Sequence, residues 1–141
     1  MISVYPVIFT QTNDKKDTVL IEVPDFEILT EGYGMADAIK MARDAIGIAG
    51  ISLEDMKKDI PIPSNIQNIN LDESTFKESG ESYVSLVDID FKEYRRVVDN
   101  KSVRRNVTLP NWLNRESEQA QINVSKVLNE ALMEVLGVSK N

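Results

Sequence analysis

The chain of 141 residues contains no cysteine and no histidine. Without cysteine there is no disulfide frame and no thiolate zinc site. Without imidazole, the group that most often moves protons near neutral pH, catalysis would have to rest on carboxylates, Lys, Tyr or Ser. No apolar run approaches the roughly 20 residues of a membrane span. The opening MISVYPVIF lacks the charged leader of a signal peptide and alternates like a strand. There is no Gly-rich phosphate loop, no spaced metal-ligand set, no internal repeat and no low-complexity segment. A cytoplasmic, non-enzymatic protein without metal or cofactor, and without a membrane contact, is the expectation.

What is present is charge, unevenly placed. The net charge is −7. Residues 1–100 hold 10 Lys/Arg against 19 Asp/Glu, a net of −9, whereas residues 101–141 hold 6 against 4, a net of +2. An acidic body followed by a mildly basic tail suits two partners of opposite character.

Residues 2–10 (ISVYPVIFT) and 18–24 (TVLIEVP) are rich in β-branched and aromatic residues and read as strands joined by a hairpin loop over Gln11–Asp17. A third strand, FEILTEG, follows the Pro24-Asp25 turn and stops at Gly32. The period then becomes helical in GMADAIKMARDAIGIAG, where Ala38, Met41, Ala42, Ala45 and Ile46 share one face. Ser52 and Asp55 form a capping box that opens a second short helix, SLEDMKKD. Residues 60–80 read as an ordered loop. YVSLVDIDF is the fourth strand, with Tyr83, Val87, Ile89 and Phe91 on one face. The order βββ-α-β makes an α+β domain over residues 1–91. Residues 92–100 are a linker that Asp90 and Glu93 could cap into a short helix.

The tail, residues 101–141, reads β-α-α. Val103 to Leu109 is one strand, and Pro110 suits the first position of a helix. Trp112, Leu113 and Ala120 are core contacts of that first helix, and Gln121-Ile122 is a tight turn. Asn123 is the N-cap of a second helix, whose apolar face is Val124, Val127, Leu128, Ala131, Leu132 and Val135. Gly137 stops it, with Val138 as the apolar partner of a Schellman ending.

About 40 residues are too few to sustain a core alone, and a single strand leaves a full edge open. Both defects vanish if two copies pair their strands as an antiparallel ribbon over four helices. The alternative is that the strand joins the N-terminal sheet and the helices pack there. In the dimer, Val107, Leu109, Trp112, Val127, Leu128 and Leu132 form the shared core, while Arg104, Asn106 and Thr108 face outward. A two-stranded ribbon fits the DNA major groove, where Arg reads guanine, Asn reads adenine and Thr either donates, accepts or touches a methyl. The helix start at Asn123, Val124 and Ser125 offers free N–H groups to a phosphate.

At this point the tail resembles a ribbon-helix-helix module. The alternating strand ending Thr-Leu-Pro, the Asn-Val-Ser cap and the Glu-Ala-Leu run carry the likeness. Arg105 departs from it, standing at a core-side position, and is assigned to a phosphate at the ribbon edge. The first half, with VPDF at Val23–Phe26, Thr30-Glu31-Gly32, the alanine-lined helix and YVSLVDIDF, is similar to HicB antitoxins. The Gly-Cys often found after the Pro-Asp turn of that family is absent.

The resemblance implies a partial RNase H-like N-terminal domain that binds and occludes a HicA-type mRNA-cleaving ribonuclease toxin. It also implies a C-terminal dimer that binds double-stranded operator DNA and autorepresses the operon, with higher oligomers left open. Candidate toxin-binding residues are Glu22, Glu27, Glu31, Asp37 and Asp44, with Tyr33 either an aromatic anchor or core. The competing reading is a ribbon-helix-helix repressor whose N-terminal domain senses a small ligand. A nuclease is the least favoured, since Asp88 and Asp90 on one strand are the only paired carboxylates of the needed kind.

Overall fold

The β-branched and aromatic content of the first two strands sets the architecture. In the computed structural model, which describes residues 1–138, the elements run β1 (Ser3–Gln11), β2 (Thr18–Val23), β3 (Ile28–Tyr33), α1 (Met35–Asp55), β4 (Glu81–Ile89), α2 (Phe91–Val98), α3 (Asn111–Gln119) and α4 (Val124–Leu136). They fall into two units, Met1–Lys101 and Ser102–Asn141.

The first unit holds a four-stranded sheet of order β3-β2-β1-β4, antiparallel at every pairing. The register places Phe9 opposite Ile21 and Tyr5 opposite Val87. Tyr5, Val7, Phe9, Val19, Ile21, Val23, Val87 and Ile89 therefore share one face, all of them buried. Helix α1 lays Ala38, Ala42 and Ile46 on that face, also buried. The small side chains allow close approach, as the helical period predicted.

The helix differs from expectation in length. One 21-residue helix replaces the two separated at Gly50 and Ser52. Gly47 and Gly50 are notches in it: a Cβ on Gly47 would lie 2.6 Å from the Tyr94 ring, and one on Gly50 would overlap the Phe91 ring. Both rings come from α2. Within the linker expected over residues 92–100, the short helix that the sequence offered is α2, Phe91–Val98, seated on α1 with Arg95 bridging to Glu54 at 2.9 Å and Asp55 at 3.0 Å. Its N-cap is Asp90, as the sequence suggested, accepting from Lys92 N–H at 3.1 Å and Glu93 N–H at 3.2 Å.

Strand β3 begins at Ile28 rather than Phe26. Pro24–Phe26 is a 3-10 turn closed by Glu27 in the left-handed region, φ 54°, whose N–H donates to the Pro24 carbonyl. On β4, Tyr83 is not in the core: Val87 and Ile89 on the same face are buried, whereas Tyr83 is 48% exposed. The segment 60–80 is ordered by three 3-10 turns and crosses the outer sheet face, where Ile8 and Glu22 line one shallow groove with Asn68–Ser74. Tyr5 Oη donates to the Pro61 carbonyl at 2.7 Å, and Glu22 accepts from Thr75 N–H at 3.0 Å and Oγ1 at 2.8 Å.

In the second unit α3 and α4 are present, but residues 101–110 form no strand in the single chain. A lone strand has no ladder to join, so the expected ribbon has no hydrogen-bonding partner within one copy. None of the described residues of this unit is buried. Among the described residues, no helix is long and apolar enough to cross a membrane.

Candidate functional site

Three groups of residues follow from the sequence. The first lies in the second unit. Helix α4 starts where Asn123 Oδ1 accepts from the Lys126 N–H at 3.0 Å, leaving the Val124 and Ser125 N–H groups at the positive end of the helix dipole. It ends at Gly137, φ 69°, where Gly137 N–H donates to Glu134 O at 3.1 Å and Val138 N–H to Met133 O at 2.8 Å. Those two bonds are a Schellman ending.

Segment 102–107 runs beside α4. A groove of about 910 Å³ is lined by Arg104, Arg105, Asn106 and Val107 on one side and by Ser125, Leu128, Asn129 and Leu132 on the other. Arg104 and Asn106 are thus brought to the start of α4, together with Arg105, which alternation had separated from them. Thr108, Asn123 and Val124 do not line that groove. Asn129 does, and sequence reasoning missed it; its Nδ2 donates to the Ser125 carbonyl at 2.7 Å, one helical turn back.

The apolar residues assigned to a dimer core are open in the single chain. Val107, Trp112, Val127 and Leu132 are each more than half exposed, Leu128 is 36% exposed and Leu109 is half-buried. All six of these apolar side chains are thus open to solvent or only partly covered in the single chain.

The second group is the acidic set on the first unit, which the structure divides. Glu27, just before β3, and Glu31, on it, are exposed, and Asp37 stands just past its end, its Oδ2 accepting from Tyr33 N–H at 2.9 Å. Glu22 lies on β2 opposite Leu29, with both carboxylate oxygens engaged by Thr75. Asp44 sits two turns further along α1 and does not join the β3 group. Tyr33 is not core: it is 54% exposed because the two-residue period puts it on the outer face with Leu29 and Glu31. Its hydroxyl donates to Glu31 Oε1 at 3.3 Å. Glu31, then that hydrogen bond, then Asp14 and Asp37 hold its pKa above the usual tyrosine value.

The third group is the carboxylate pair. Asp88 receives Arg43 Nη2 at 2.9 Å, which lowers its pKa, and Asp90 is lowered by the Glu93 and Lys92 N–H groups that it caps. Both are occupied with structural partners. Among the described residues, no three His, Cys, Asp or Glu side chains gather as a metal site would require.

Comparison with known proteins bears on these surfaces. The model of the HicB-like antitoxin of bacterial toxin–antitoxin systems matches residues 5–131. A chain in a toxin–antitoxin complex from Streptococcus pneumoniae is similar in structure, with a TM-score of 0.61 and 25% identity, over 95% of this chain and 99% of that one. The antitoxin HicB of Burkholderia pseudomallei shows a weaker likeness, TM-score 0.49 at 23% identity, over 97% of this chain and 98% of that one. No curated protein matches the chain.

Proposed function

The chain belongs to the HicB-like antitoxin family of bacterial toxin–antitoxin systems, and from that membership we propose a division of labour between its two units. The first unit neutralises a HicA-type ribonuclease toxin. The second dimerises, binds operator DNA as a ribbon-helix-helix and represses the operon that encodes the pair. Neither role needs catalysis by this chain.

One observation carries the DNA half: the second unit has an open apolar helix face and an unpaired polar segment containing Arg104, Arg105 and Asn106. Two copies that pair Val103–Leu109 as a ribbon bury Val107, Leu109, Trp112, Val127, Leu128 and Leu132 together. The ribbon then carries Arg104, Asn106 and Thr108 to base edges, with Arg105 and the Asn123–Ser125 helix start at phosphates. The acidic first unit supports the toxin half, because opposite charge speeds encounter with a basic partner. Glu31 and Asp37 both bond to Tyr33, and Glu27 stands just before the same strand; Glu22 and Asp44 take a peripheral part.

The test uses operator DNA and the cognate toxin in parallel. Asn106→Ala lowers specific DNA affinity by about 1–3 kcal/mol and relaxes base preference, while toxin affinity is unchanged. If both activities fall together in a folded variant, the division is wrong. A small-ligand sensor has no comparable support: the groove at Ile8, Glu22 and Ser74 is shallow, of about 220 Å³.

A further inference from the structure

Strand β3 is an edge of the sheet, and the direction of one hydrogen bond shows which of its residues face outward along that edge. Tyr33 gives its N–H to Asp37 rather than to β2. In an antiparallel ladder the backbone groups of alternate residues point the same way. Leu29 and Glu31 therefore turn their N–H and C=O groups toward the free edge, while Asp37 closes that edge at Tyr33.

The side chains of the same three residues share the outer face, and all are exposed: Leu29 52%, Tyr33 54%, and Glu31 between them. An exposed apolar residue and an exposed aromatic thus flank a carboxylate on a strand with open backbone groups. Around them stand Glu27, Asp37 and Asp14, the last two close enough to act on the Tyr33 hydroxyl. An aromatic and apolar centre inside a polar rim is the usual anatomy of a protein interface.

We propose that the β3 edge is where the toxin docks, by adding a basic extended segment beside Leu29 and Glu31 with Leu29 and Tyr33 as anchors. This rests on the reading that the first unit binds a toxin, and it names the surface. Backbone pairing would supply part of the affinity, and pockets for alternate side chains the specificity. Charge selects the occupant. A second copy presenting its own β3 antiparallel and centred on Leu29 would set Glu27 of each copy against Glu31 of the other, and like charges facing each other across strands repel. A segment rich in Lys or Arg meets the carboxylates instead. The other edge, β4, is uncharged from Ser82 to Val87, so it offers backbone without that selection.

The experiment titrates the full-length chain with the toxin of its own pair by calorimetry. Leu29→Arg and Tyr33→Ala are each expected to weaken binding about 30-fold, the size of a hot-spot loss. Glu31→Lys is expected to weaken it about tenfold or more at low salt and less at high salt, because an exposed charge is screened. Leu86→Lys, on β4, should bind as the unaltered chain does. Operator binding and circular dichroism confirm that each variant is folded. Unchanged affinity in the three β3 variants, or loss in Leu86→Lys alone, overturns the proposal. So does a β3 variant that changes the sedimentation of the chain by itself, since the edge would then belong to a second copy. If the unaltered chain fails to bind the toxin at all, it is the antitoxin assignment of the first unit that fails.

Discussion

Arg43, on α1, reaches across to β4 and holds the Asp88 carboxylate at 2.9 Å, while also donating through Nε to the Asp88 carbonyl at 3.1 Å. This bidentate hold commits the one carboxylate that a nuclease reading would need first. The charged form of Asp88 is favoured in the folded chain, so its pKa is lowered. The pair then stabilises the fold above the ordinary aspartate pKa, and that contribution disappears as pH falls through the lowered value. Asp88→Asn should therefore flatten the acid side of a melting curve series run from about pH 7 to about pH 3. A variant with the same acid-side slope as the unaltered chain would show that Arg43 does not bias the titration.

Gly32 lies under the start of α1. A Cβ there would stand 2.7 Å from Ala38 Cα and 2.8 Å from its nitrogen, and backbone cannot swing aside as a side chain can. Gly32→Ala is expected to cost about 1–3 kcal/mol, the range of an overpacked core. Urea unfolding followed by far-ultraviolet dichroism measures it. A loss well under that range would mean that the helix lifts off the sheet with little strain.

The second unit buries nothing by itself, whereas the first has a continuous core. Heating should therefore resolve two transitions, and the one due to the second unit should rise with protein concentration, as linkage to dimerisation demands. A fragment of residues 1–101 should keep only the concentration-independent transition and lose operator binding. Should the full chain show a tail transition independent of concentration, pairing between copies is not what stabilises it.

The two ends of α4 predict a selective effect. Removing the Asn123 cap by Asn123→Ala should cost about 1 kcal/mol. Gly137→Ala, forcing a Cβ into a left-handed position, should cost about 1–2 kcal/mol. Both lower the tail transition in differential calorimetry and leave that of the first unit in place. An equal shift in both transitions would mean that the units do not melt independently.

Much of this arrangement is legible from local pattern. The β-branched and aromatic content of ISVYPVIFT and TVLIEV marks the two central strands, β1 being buried on both faces from Tyr5 to Thr10, and Ala38, Ala42 and Ile46 mark the helix that packs on them. The Asp90 and Asn123 caps and the Gly137 stop depend on neighbours a few residues away, and so were readable too. Misreadings arose where a distant contact outweighed a local signal. The Ser52-Asp55 capping box suggested a new helix, but α1 runs unbroken to Asp55, and Gly47 and Gly50 within it are spaces for Tyr94 and Phe91. Tyr83 alternates with core residues, yet it stands 48% exposed near the start of the edge strand β4.

The amino-acid sequence alone determined the acidic body, the basic tail, the element types and an apolar helix face too large for a tail of its size, because these depend on composition and period. Only the tertiary structure decided which carboxylates are spent on internal partners and which stand open. Glu22 is held by Thr75, 53 residues away, and Asp88 by Arg43, 45 residues away, whereas Glu31 stands on the edge strand β3 and Glu27 just before it. That distinction rests on strand order and on the crossing of a long loop, and short-range spacing carries no record of either.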